Sequence, residues 1–122
     1  MRQSGHFLDG LSVLVVEDEA IVSMLLEDML GDLGAQVRHA GTLTAALAAI
    51  DAEMPKLALL DVNIGGEKIF PVADRLDAAG VPIVFTTGYG RKGLEPRWER
   101  HAVLQKPFDE AGLTAALRQV LR

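Results

Sequence analysis

Charged residues stand where short apolar runs end. Asp61 closes Leu57-Ala58-Leu59-Leu60, Glu17-Asp18 follows Val13-Leu14-Val15-Val16, and Lys106 follows Val103-Leu104-Gln105 and precedes Pro107. If the runs are parallel strands joined by helices, their carboxyl ends share one edge of a sheet, where sites form. Glu17, Asp18 and Asp61 would then meet Lys106 in a single crevice. Carboxylates crowded in this way repel one another unless a cation or a chemical task stabilises them.

The elements that must position these residues follow from periodicity. Leu11 to Val16 reads as a buried strand. Glu19 to Leu33 reads as a helix with Val22, Leu25, Leu26, Met29 and Leu33 on its core stripe, ended by Gly34. Gln36 to Ala40 is a weaker strand nearer an edge. Thr42 is placed to cap a helix running to about Ala52. Leu57 to Leu60 is apolar on both faces, as a central parallel strand requires. Val62 to Gly66 reads as a loop, and a helix from about Lys68 to Ala79 tolerates Pro71 only in its first turn. Val81 to Thr86 and Ala102 to Gln105 are the last two strands, and Asp109 caps a final helix to Leu121. Repeated βα units predict an α/β fold, a doubly wound five-stranded parallel sheet with helices on both faces. Residues 1–10 read as an N-terminal tail and 11–122 as one domain, with no room for an output domain.

Composition narrows the function. The chain has 122 residues, 49% of them apolar, enough for a real core. With no cysteine, disulfides, thiolate metal sites and cysteine nucleophiles are excluded. No apolar run approaches the ~20 residues of a membrane span, and Met1 to Gly10 lacks the apolar core of a signal peptide. A soluble cytoplasmic protein is the expectation, with no membrane partner. The net charge of −5 argues against nucleic acid as the main partner. His6, His39 and His101 have no metal-ligand spacing. Trp98 is either a partly exposed anchor or a cover for the core.

Taken singly, each charged position has an ordinary reading: a cap or turn for Asp61, an acidic helical turn for Glu17-Asp18-Glu19, a turn for Thr87, a surface lysine for Lys106. Together and in this order, Glu17-Asp18, Asp61, Thr87 and Lys106-Pro107-Phe108 resemble the receiver domain of bacterial two-component response regulators, over roughly Leu11 to Arg122. Phe85-Thr86-Thr87-Gly88-Tyr89-Gly90 is similar to the Phe-Ala-Thr-Gly signature of a receiver subgroup often found in proteobacterial single-domain regulators. The resemblance implies a flavodoxin-like fold and Asp61 as acceptor of a phosphoryl group from a histidine kinase or histidine phosphotransfer protein. It also implies Mg²⁺ held by Asp18, Asp61 and the backbone carbonyl of Asn63, with Glu17 acting through metal-bound water. Lys106 would pair with Asp61 and then with the phosphoryl group, Thr87 would hydrogen-bond that group, and the Lys106-Pro107 peptide would be cis.

The sequence departs from the family pattern in three places. Glu17 stands where many receivers have aspartate, a frequent alternative. The run Gly88-Tyr89-Gly90-Arg91-Lys92-Gly93-Leu94-Glu95-Pro96 opposes a regular fourth helix. Val103 occupies the position of the family's switch aromatic, for which Tyr89 is a candidate substitute. Ile21 and Met24 remain apolar beside the expected core stripe of the first helix. Family members commonly meet their kinase or phosphotransfer protein through that helix and the loop around Phe108.

Two other functions stay open on sequence alone. One is a phosphatase resembling the haloacid dehalogenases, which also use a strand-end aspartyl nucleophile, although Asn63 stands where that family needs a second aspartate. The other is a receiver-like interaction module that never carries phosphate. A mononucleotide site is disfavoured, because Glu17-Asp18-Glu19-Ala20 lacks phosphate-cradling glycines.

Overall fold

Side chains alternate across the strands of this chain, and the alternation builds two cores. The computed structural model describes residues 8–88 and 94–121. Strand β1 (Ser12–Val16) leads to helix α1 (Ala20–Asp32), β2 (Gln36–Ala40), α2 (Leu43–Ala52) and β3 (Leu57–Asp61). A short hairpin, β4 (Asn63–Ile64) and β5 (Glu67–Lys68), precedes α3 (Phe70–Ala78) and β6 (Ile83–Thr87). A 3₁₀ turn (Pro96–Trp98), β7 (Ala102–Gln105) and α4 (Glu110–Val120) complete the order. The main sheet has five parallel strands in the order β2-β1-β3-β6-β7. The order reverses direction after β1, so the crevice outside β1 and β3 is the topological switch point.

Val13, Val15, Leu57, Leu59, Val84, Ala102 and Leu104 pack on one face with Leu26 and Leu30 of α1 and Leu113 and Leu117 of α4. Leu14, Val16, Ala58, Leu60, Ile83 and Phe85 pack on the other with α2, α3 and Trp98. This is the period-two pattern of a sheet covered on both sides. β2 lies at the edge and is only partly buried, as expected. Arg38 on that edge ties the sheet to α2, donating to the carbonyls of Ala49 (2.9 Å) and Glu53 (2.6 Å) at the helix's C-terminal end.

Local signals read from the sequence hold at most helix ends. Thr42 Oγ1 accepts from Ala45 N at 3.0 Å, and Asp109 Oδ1 from Gly112 N at 2.8 Å. Pro71 sits in the first turn of α3. Gly34 has φ +94°, and a Cβ there would lie 2.8 Å from Asp9 Cα, so both backbone conformation and space demand glycine. The Lys106–Pro107 peptide is cis.

Several expectations need correcting. Leu25 is 41% exposed and Leu30 is fully buried, so the core stripe of α1 is rotated from the expected one. Ser23 is buried on the true stripe and donates to Glu27 Oε2 at 2.8 Å. Leu8, within the expected tail, is 1% exposed and joins the core through Leu33. The expected loop after Asp61 is a hairpin, because Gly65 (φ +56°) and Gly66 (φ +83°) supply the left-handed turn that antiparallel strands need. The fourth strand of the main sheet is Ile83–Thr87 rather than Val81 to Thr86, so Thr87 is its last residue. Trp98 is buried and stacked on Phe70 with ring centroids 5.9 Å apart, so of the two readings it covers the core and is not an exposed anchor. His101 packs against Trp98 and Phe85, a structural position. Tyr89 and His6 lie outside the described residues.

Candidate phosphoryl and cation site

Three strand ends deliver the charged side chains. Asp61 ends β3, Glu17 follows β1 directly, and Lys106 follows β7, its backbone N–H bonded to Thr87 O of β6 at 2.8 Å. The Lys106 ammonium lies 3.0 Å from Asp61 Oδ2, 3.0 Å from Glu17 Oε1 and 3.0 Å from Glu19 Oε1. A crevice of about 440 Å³ opens here, lined by Asp18, Glu19, Asp61, Asn63, Gly88 and Lys106. Thus Asp18, Asp61, Asn63 and Lys106 share one hollow, with Glu17 against Lys106 beneath it. Thr87 is buried beside them at the end of β6.

Each carboxylate has a distinct environment. Asp61 Oδ1 accepts the Asn63 backbone N–H at 3.3 Å, leaving Oδ2 to Lys106. Asp18 Oδ2 accepts Gly65 N–H at 2.9 Å, clasping the β4–β5 hairpin to the β1 end. Glu17 Oε2 accepts Glu19 N–H at 3.0 Å, serving the start of α1 where Glu19's own side chain makes no cap. Glu17 Oε1 is buried and makes no hydrogen bond of acceptable angle, although Lys106 is near.

Burial pushes the Glu17 carboxyl up to about 7, against the Glu19 N–H and Lys106, which favour its charged form. For Lys106, burial opposes the charge but hydrogen bonds to Asp61, Glu17 and Glu19 outweigh it and raise the pKa. The Lys106 shift reflects the carboxylates around its ammonium, whereas the Glu17 shift comes first from burial and only secondarily from repulsion by Asp61.

A cation fits this donor set. Oxygen ligands from carboxylates and a carbonyl suit Mg²⁺, which keeps several of its waters. The buried Oε1 of Glu17 without a hydrogen bond is the polar atom that such a shell would satisfy. One oxygen each from Glu17, Glu19 and Asp61 lie within 4.8 Å of one another. Glu19 was not among the residues singled out in the sequence. Its side chain is 64% exposed, and it reads there as part of an acidic first turn.

A doubly wound sheet with an acidic crevice and a strand-end lysine at its switch point defines a class. Residues 13–118 match the family described as Response regulator receiver domain, and the chain belongs to that family. It is therefore a phosphoacceptor signalling domain of the two-component type. The receiver protein SdrG from Sphingomonas melonis Fr1 is 37% identical, with TM-score 0.81 over 98% of this chain and 100% of SdrG. The receiver domain of PhyR from Erythrobacter litoralis is 30% identical, with TM-score 0.84 over 93% of this chain and 92% of that one. The probable transcriptional regulator ycf27 of Pyropia yezoensis is 34% identical over 116 residues, covering 90% of this chain and 47% of that protein. The chain thus spans about half the length of the curated relatives it matches. No observation favours the phosphatase reading.

Proposed function

We propose that Asp61 accepts a phosphoryl group from a histidine kinase or histidine phosphotransfer protein, and that the phosphorylated form signals by a change of conformation. The observation that carries this reading is the Asp61 carboxylate held 3.0 Å from the Lys106 ammonium in an acidic crevice. An Asp61 oxygen attacks the phosphorus of a phosphohistidine. The P–O bond forms as the P–N bond breaks, and the electron pair leaves with the imidazole. Mg²⁺, when bound, neutralises charge on the phosphoryl oxygens. Asp18, Asp61 and the Asn63 carbonyl would hold it directly, with Glu17 acting through its water. Lys106 turns from Asp61 to the transferred group, a charge-assisted contact, and the Thr87 hydroxyl donates to it. In autodephosphorylation a water oxygen attacks the phosphorus, the P–O bond to Asp61 breaks with its electron pair returning to the carboxylate, and the water's protons leave with inorganic phosphate or to solvent.

Ile21, Met24 and Leu25 are 82%, 64% and 41% exposed on α1. Leu25 borders an apolar hollow that also touches Val22, Pro107 and Phe108. This surface is our candidate for docking the phosphodonor protein beside the crevice.

A small phosphodonor with Mg²⁺ should add one phosphoryl group by intact mass, and Asp61→Asn should abolish it. Labelling that persists in Asp61→Asn moves the acceptor elsewhere. No labelling of the unaltered chain, from either a small donor or a phosphorylated kinase, leaves an interaction module without phosphate. Asp18→Ala should lower labelling and the Mg²⁺-induced rise in melting temperature more than Glu17→Ala does.

A further inference from the structure

The hairpin after Asp61 brings an exposed ammonium against Asn63, a residue that lines the crevice. Lys68 on β5 pairs in register with Asn63 on β4. Its Nζ lies 2.8 Å from Asn63 Oδ1. An ammonium donates and never accepts, so the carboxamide atom facing it must be the oxygen. That fixes the amide orientation without ambiguity. The Asn63 backbone N–H reaches Asp61 Oδ1 at 3.3 Å, and Asn63 lines the crevice. With Oδ1 committed to Lys68, Nδ2 has no hydrogen-bond partner among the described residues.

We propose that Lys68 is a positioning residue: it holds the Asn63 carboxamide so that its NH₂ group, and not its oxygen, is offered to a phosphoryl oxygen on Asp61. The inference rests on Asp61 as the phosphoacceptor. Its chemistry is specific. A carboxamide turned the other way would present an acceptor to an already anionic group, and the bond from Lys68 to Oδ1 disfavours that orientation before the group arrives. The hairpin itself is pinned by the Gly65 N–H bond to Asp18 Oδ2, so Lys68 and Asn63 are presented from a fixed base.

The test uses beryllofluoride in excess Mg²⁺ as the phosphoryl mimic, titrated by calorimetry into the full chain. Lys68→Met should bind it about five-fold more weakly, the size of one hydrogen bond, and Lys68→Arg should restore binding. In an Asn63→Ala background, Lys68→Met should have no further effect, because Lys68 acts through Asn63. Mg²⁺ alone should bind Lys68→Met as tightly as the unaltered chain or more tightly, since a positive charge has been removed. Equal beryllofluoride binding by Lys68→Met overturns the proposal. So does a loss that persists with Asn63→Ala, which would mark a through-space effect of charge, or a loss of Mg²⁺ affinity, which would mark damage to the cation site. If the unaltered chain takes up no beryllofluoride, Asp61 as acceptor falls as well. If it does and Lys68→Met matches it, only the role of Lys68 falls.

Discussion

Glu17 and Lys106 touch, and burial opposes the charge on both, but only Lys106 has partners enough to outweigh it. In the metal-free protein Glu17 holds a proton up to about pH 7, against an ordinary carboxyl value of 4.5. The folded state therefore binds a proton that the unfolded chain has released between these values. By linkage, stability falls with rising pH across that window. Denaturation in chelator at pH 5 and pH 7.5 should show this loss, and Glu17→Gln should flatten it. Saturating Mg²⁺ should flatten it too, by supplying the positive charge that the proton otherwise provides. A slope that is unchanged in Glu17→Gln would place the titration on another group. The same crevice shows what sequence conveys at this scale. Asp61, Asp18 and Lys106 were legible because strand ends fix where side chains go. Glu19 was not, because a two-thirds exposed side chain reaches Lys106 only through rotamers that no local pattern encodes. Nor was the Lys68–Asn63 bond, since it depends on the register of a hairpin read in the sequence as a loop.

At the scale of elements, α1 has two apolar sides. Ser23, Leu26 and Leu30 face the core, Val22, Met29 and Leu33 flank them, and Ile21, Met24 and Leu25 look outward. Apolar residues cover so much of the circumference that periodicity cannot set the helix's phase, and a buried serine misleads it further. The strands had no such ambiguity, because a period of two gives only two faces and both are covered. If the outward side of α1 docks the phosphodonor protein, Met24→Glu should slow transfer from a kinase at least ten-fold. It should leave labelling by a small phosphodonor and the melting temperature unchanged, since Met24 is 64% exposed. Equal kinase transfer would remove α1 from the docking surface. The junction after α1 was readable for a firmer reason. Gly34→Ala puts a Cβ 2.8 Å from Asp9 Cα in a left-handed conformation, and it should destabilise by about 1–3 kcal/mol. Chemical denaturation measures this, and a neutral effect would show that the Asp9 backbone can retreat.

Across the whole molecule, the question is how far a change at Asp61 travels. The glycines after Thr87 suggest reorganisation as far as His101, with Val103 unable to act as an aromatic switch. Packing sets a nearer limit. Trp98, the only tryptophan, is 2% exposed. It stacks on Phe70 of α3 at 5.9 Å and meets Phe85 of β6 edge-on at 5.6 Å. His101 closes the cluster at 5.1 Å, and Leu94 is buried in the same core. Arg97 bonds Asp74 of α3 at 2.8 Å and lies 4.7 Å from the indole centroid. Withdrawing a buried tryptophan forfeits roughly 3–5 kcal/mol, as its truncation does. One new hydrogen bond to a charged acceptor returns only about 1.5–3 kcal/mol. The bond proposed from Thr87 to a phosphoryl group would therefore be too weak to pull Trp98 from its seat, and reordering should stop before Leu94. With Mg²⁺ and beryllofluoride, the Trp98 emission maximum should stay at the blue end of its range. Exchange at the amides of Trp98, Glu99 and His101, bonded to Glu95, Pro96 and Trp98 carbonyls, should be the same in both states. Faster exchange at those amides on activation, with a red shift of emission, would show that the aromatic cluster itself opens and carries the signal.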